Sequence, residues 1–148
     1  MTSKRLARLV RLKKLVEETK VTELADKRRS LDAAAHDLDC TDEEIERLHE
    51  SKLPEPTAQD LQVAARYQRH LAVRRDVQQK VVVERETEVE RSREVVQDAC
   101  RDRRLFEGLH ERASTLEEEE HIAEERRELE AIGLSTYVRR SDKTGGSK

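Results

Sequence analysis

The sequence predicts an all-α protein: a long antiparallel two-helix coiled-coil hairpin whose second helix is longer than the first. Three observations point there. Leu24, Leu31, Leu38 and Ile45 recur every seven residues, the period of an apolar seam between helices. The chain is 43% charged and 2% aromatic, so a globular interior would have to be filled almost without large side chains. Finally, the only prolines, Pro54 and Pro56, stand together and divide two uninterrupted stretches of helix formers.

The first helix is expected over residues 3–50, where neither Gly nor Pro occurs. Its opening turns carry Leu6, Leu9, Val10, Leu12, Leu15 and Val16, a stripe too wide for a two-stranded seam alone. The spacing then slips before Leu24 restores the heptad, which reads as a stutter. Thr41 and Glu44 resemble a capping box, but the heptad running from Leu38 through Ile45 to Leu48 favours one continuous helix.

Residues 51–57 form the loop, because Pro54 and Pro56 remove amide donors and push the residues before them out of helical geometry. Thr57 followed by Asp60 caps a second helix over residues 58–132, with Gly133 as its C-terminal cap. Ala64, Tyr67, Leu71, Val81, Val95, Ala99, Phe106, Leu109, Ala113, Leu116 and Ala123 fall on a 3-4 register along it. Gln78, Arg85, Glu88 and Asp102 interrupt that register, so the seam is expected to be weak in its middle. A single coiled-coil domain over residues 1–137 would be followed by a disordered basic tail, residues 138–148.

With so short a turn, residues about equally distant from Pro54 face each other. Cys40 then lies opposite residue 69 and Cys100 opposite residue 9, roughly 45 Å apart along the helices. An intramolecular disulfide is excluded and a reducing compartment expected. The last third of the second helix has no partner helix, which exposes Leu109, Leu116, Ile122, Leu129 and Ile132. Gly108 beside Phe106 either admits another chain closely or softens the helix.

Several chemistries are excluded. His49-Glu50 and His110-Glu111 begin like zinc-protease motifs, but Leu53 and Ser114 stand where the second histidine belongs. Glu117 to Glu120, Glu124 and Glu125 form a solvated acidic face, because a helix fans its carboxylates outward. There is no phosphate-binding glycine loop, so no nucleotide, metal or other cofactor is expected, and no enzymatic activity. No stretch approaches the ~20 apolar residues that span a bilayer. The 30 basic and 33 acidic residues are mostly interleaved, which suits protein partners rather than nucleic acid. Lys4, Arg5, Arg8, Arg11, Lys13 and Lys14 among the first leucines suit an acidic protein surface or an anionic membrane surface.

Three segments, Leu12-Lys13-Lys14-Leu15-Val16-Glu17-Glu18, Tyr67-Gln68-Arg69-His70-Leu71 and Arg103-Arg104-Leu105-Phe106-Glu107-Gly108-Leu109-His110-Glu111-Arg112, resemble the flagellar FliJ family in order and spacing. Glu124-Glu125-Arg126-Arg127-Glu128-Leu129-Glu130 resembles a further family stretch, with Glu130 where Asp is common. The injectisome YscO-type stalk proteins are similar in length and shape. The resemblance implies a bacterial, cytoplasmic protein, peripheral at the inner-membrane export apparatus of a type III secretion system. It would be the central stalk of a hexameric export ATPase, coupling the ring to a membrane export gate, with export chaperones as further partners. The ATPase-ring contact would then fall on Leu6, Leu9, Phe106, Leu109 and Leu116. The export-gate contact would fall on His70, Val73, Arg74 and Val77, where the two valines lie off the seam. The residues alone leave a second reading open, a structural tether or chaperone-like coiled coil unrelated to secretion.

Overall fold

A computed structural model of the chain describes residues 2–145. Two helices account for almost all of them, α1 (Ser3–Glu50) and the longer α2 (Ala58–Gly145), and no strand occurs among the described residues. The fold class is therefore the helical hairpin that the heptads predict. Contacts gather into two compact units where the sequence suggests one: unit 1 takes residues 1–14 and 102–148, unit 2 residues 15–101. Each contains a piece of both helices.

Unit 2 holds the loop. The Thr57 amide and hydroxyl both donate to Asp60 Oδ2, at 2.9 and 2.6 Å, and the Asp60 amide donates back to the Thr57 hydroxyl at 3.2 Å. This reciprocal cap satisfies amides that the first turn of α2 leaves without helical partners. Across the pair, Arg75 Nε donates to Asp42 Oδ1 at 2.6 Å, and Arg74 lies 3.7 Å from Glu44. Equal distance from Pro54 would have put Asp42 opposite about residue 66, so the pairing is displaced toward the C-terminus of α2. In the first turns of α2, residues 58–63 are all exposed, and Asp60 and Leu61 share an open groove with Leu48 and His49 of α1. Cys40 correspondingly lies near the level of residue 77 rather than 69, and neither cysteine is in a disulfide.

Burial along α1 follows an unbroken 3-4 spacing, so the expected stutter is absent. The covered positions include, in unit 1, Ser3, Leu6, Val10 and Lys13, and in unit 2, Glu17, Lys20, Leu24, Lys27, Leu31, Ala34, Leu38, Thr41, Ile45 and Leu48, with some of their neighbours half-buried beside them. Charged side chains hold the seam where the leucines seemed to slip out of phase. Leu12 and Leu15, which widened the apparent stripe, are 56% and 61% exposed. Thr41 is fully buried in mid-helix, its hydroxyl donating to the Asp37 carbonyl at 3.1 Å, so it is no cap.

On α2 half of the expected register holds. Every residue of the series Ala64, Leu71, Gln78, Arg85, Ser92, Ala99, Phe106 and Ala113 is buried or half-buried. Of the other half, Val81 and Glu88 are half-buried as the register expects, but their neighbours Val82 and Val89, then Val96 in unit 2 and Arg103 and His110 in unit 1, are covered one residue further on. Tyr67, Val95, Leu109 and Leu116, expected in the seam, remain 41–59% exposed. The choice has an electrostatic reason. The observed phase buries Val89 with Val82 and Val96 half-buried, and leaves exposed the Asp102 carboxylate that the expected one would place in the interface at high desolvation cost. One polar atom in this seam, Gln78 Oε1, is buried without a hydrogen-bond partner.

α2 does not end at Ile132, nor is residue 138 the start of an irregular tail: the helix continues through Gly145. Gly133 has no left-handed backbone, and a Cβ built there would meet nothing within 4 Å, so nothing compels a turn. Glycine alone costs a helix interior only about 1 kcal/mol. Leu134 with Tyr137 and Val138, at helical i+3 and i+4 spacing, supports the continuation. The last residues of the expected tail, 146–148, lie outside the described residues.

Candidate docking surfaces

In unit 1 the end of α1 is built from polar contacts. The first turn of α1 has no acidic residue to complement its exposed amides. α2 provides one, since the Ser3 amide donates to Glu117 Oε1 at 2.8 Å. Ser3 Oγ lies 3.4 Å from His110 Nδ1. Lys13 Nζ donates to Asp102 Oδ2 at 2.7 Å while standing 5.4 Å from the Phe106 ring centroid, a cation-π contact that shields one side of the ring. His110, read from the sequence as half of a truncated zinc motif, is thus a seam residue. Among the described residues no group of three His, Cys, Asp or Glu could hold a metal ion.

The apolar side chains of unit 1 are mostly elsewhere. Leu6 is buried, only 5% exposed, so it belongs to the hairpin interior and cannot be a free contact for an outside partner. Leu9 and Phe106 are half-buried, and Leu109 and Leu116 exposed. Leu9, Leu109 and Leu116 occupy the same place in the heptad, immediately before a seam position. In an antiparallel pair these places lie on one side, as the Glu44 to Arg74 contact at that same heptad place in unit 2 illustrates. Leu105, 62% exposed, extends the flank. Beside it runs an open groove of about 600 Å³ lined by Gly108, Glu111, Arg112, Thr115, Leu116 and Glu119. A Cβ at Gly108 would meet nothing within 4 Å, so the glycine leaves space there.

The outward side of α2 in unit 2 carries the second set. Val73 and Val77 are 64% and 56% exposed and lie off the seam, one helical turn apart. His70 precedes them, also exposed. Arg74 differs from its neighbours in the sequence-predicted set, because it is engaged with Glu44 across the pair. Val63 and Val83, at 63% and 55%, extend the exposed valines in both directions. Sequence reasoning did not single out Leu105 as a contact, nor Lys13, His110 and Glu117 as the groups that order α1. Continuing the α2 register in steps of four and three through Val82, Val89 and Val96 would have found His110 and Glu117.

Thr57 holds the Asp60 carboxyl below the ordinary aspartate value, chiefly through its hydroxyl hydrogen bond and secondly through its amide, with desolvation opposing. That group is part of the loop cap. What the described residues present is exposed apolar rows on helices.

The pattern of the family described as Flagellar FliJ protein matches residues 2–141. The chain belongs to this family. Membership makes it a flagellar export-related protein. No curated protein and no solved structure matches it significantly. No helix among the described residues is long and apolar enough to cross a membrane.

Proposed function

We propose that this FliJ-family chain is the central stalk and adaptor of the flagellar type III export ATPase, linking the hexameric ring to the membrane export gate from the cytoplasmic side. One observation supports the reading above others: each unit leaves a row of apolar side chains outside its own seam. The unit 1 row, Leu9, Leu109 and Leu116 with the rim of Phe106, is the ring contact. Arg5, exposed and four residues before Leu9 on the same face of α1, borders it. Leu6 drops out of that set, since its burial assigns it to folding. The unit 2 row, His70, Val73 and Val77 with Arg74 at its edge, is the gate contact. Export chaperones are further partners in this scheme.

The test uses the purified chain with the export ATPase and the cytoplasmic part of the gate. ATPase stimulation and direct gate binding are both expected. Val73→Asp with Val77→Asp should weaken gate binding at least hundredfold, since each buried valine contributes roughly 1.5 to 2 kcal/mol. The thermal midpoint and ATPase stimulation should stay as they were. No stimulation by the wild-type chain, or unchanged gate affinity in the double variant, contradicts the proposal.

A further inference from the structure

Charge in unit 1 is sharply divided. No acidic residue precedes Glu17, and Lys4, Arg5, Arg8, Arg11 and Lys14 are all exposed. Past Glu117, where α2 meets the start of α1, every described side chain except that of Ala123 is exposed. This overhang carries seven glutamates between Glu118 and Glu130, against Arg126 and Arg127. Ile122, Leu129 and Ile132 are exposed along it at 49%, 69% and 61%, interspersed with the glutamates. A basic helix edged with leucine and an acidic helix edged with isoleucine and leucine are thus both left uncovered.

We infer that in the free protein a second copy of the chain covers these surfaces, in a two-fold dimer formed between the two units 1. Each acidic overhang lies along the partner's basic first turns and apolar flank, and a two-fold axis makes the contact twice. Leu105, Leu109, Leu116, Ile122, Leu129 and Ile132 are each 41–69% exposed. At roughly 100 Å² apiece, covering them removes about 600 Å² of apolar surface per copy, before the stems of the arginines are added. That approaches the ~800 Å² per partner of a standard interface. Complementary charge fixes the pairing, because overhang against overhang alone would bring glutamates together. The dimer buries the same flank that the proposed ring contact uses, so dimer and ring-bound states exclude each other. The dimer itself does not depend on the ATPase assignment.

The experiment is sedimentation of the full chain at low and high salt, with a charge exchange. Wild type should dimerise in the micromolar range, and raising salt from about 0.05 to 0.5 M should weaken the dimer about tenfold or more, as screening of these exposed charges requires. One variant carries Arg5→Glu, Arg8→Glu and Arg11→Glu, the other Glu118→Lys, Glu119→Lys and Glu124→Lys. Each alone should be monomeric with unchanged helicity, and an equimolar mixture should recover the dimer, because both contacts in the mixed pair are again between opposite charges. Should the arginine variant unfold, a photo-crosslinker at Ile122 of the wild-type chain gives the answer instead, since it should label residues 4–14 of a second copy. A wild-type monomer at ~100 μM, an undiminished dimer in either variant, failure of the mixture to recover it, or labelling confined to the same copy overturns the inference. ATPase assays enter none of these readings.

Discussion

Unit 2 and unit 1 solve the same packing problem with different materials. In unit 2 the seam is largely aliphatic, with Leu24, Leu31, Leu38 and Ile45 on α1 and Leu71, Val82 and Val89 on α2 all buried or half-buried. In unit 1 the seam is held by Lys13 with Asp102 and Phe106, and by Ser3 with Glu117 and His110. Directional polar contacts fix register but add little stability when partly exposed. Both units leave apolar side chains outside their seams, Leu109 and Leu116 in unit 1 and Val73 and Val77 in unit 2, and they differ in how far polar contacts align the seam itself. A two-helix pair can keep its partner surface greasy without collapsing on it, provided that charge and not oil sets its own alignment.

The comparison is sharpest for single leucines. Leu71 in unit 2 is 1% exposed, so Leu71→Ala should destabilise the chain by about 2 to 4 kcal/mol through lost burial and a residual cavity. Leu109→Ala, at a side chain already 41% exposed, should cost less than about 1 kcal/mol. Urea unfolding of both variants checks the pair, and equal losses would erase the distinction between the units. A smaller effect belongs to Lys13, whose replacement by Met removes an ion pair and a cation-π contact while keeping the stem. A loss of about 1 kcal/mol is expected, seen as faster amide exchange in residues 4–14 with protection in residues 24–45 unchanged. Uniform loosening of both segments would show that unit 1 does not depend on this contact.

Smallest is the loop cap. The Asp60 carboxyl has a lower pKa folded than unfolded. Its stabilisation is therefore complete above the ordinary value of 3.8 and fades as pH falls through the folded value. A carboxyl NMR titration should place its midpoint below that ordinary value, and Thr57→Ala should bring it back up. A midpoint that ignores Thr57 would mean the cap does not hold the charge.

The two helices, the proline loop and its cap were legible because each depends on local chemistry: helix propensity, missing amide donors, and a hydroxyl three residues before a carboxylate. Half of each seam was legible too. The rest was not, because apolar periodicity marks every surface that prefers to leave water, including surfaces outside the hairpin. Val95, Leu109 and Leu116 pulled the α2 register by one residue, and Leu12, Leu15 and Val16 suggested a stutter in α1 where Lys13, Glu17 and Lys20 hold the seam. Charged seam residues carry no such signal by themselves. Gly133 misled for a related reason, since a glycine ends a helix only where a turn is needed. For the docking rows the exposure of Val73 and Val77 could be read from heptad position alone, whereas the burial of Leu6 required the true α1 phase.

The account stands most directly on Leu109 and Leu116 lying outside the hairpin. Changing both to Ser and measuring, on the same sample, the thermal unfolding midpoint and the stimulation of the export ATPase decides it. The midpoint should shift by only a few degrees with helicity intact, and stimulation should be lost. A chain that unfolds cooperatively at much lower temperature yet still stimulates the ATPase would place these leucines in the seam, and would contradict both the register and the role drawn from it.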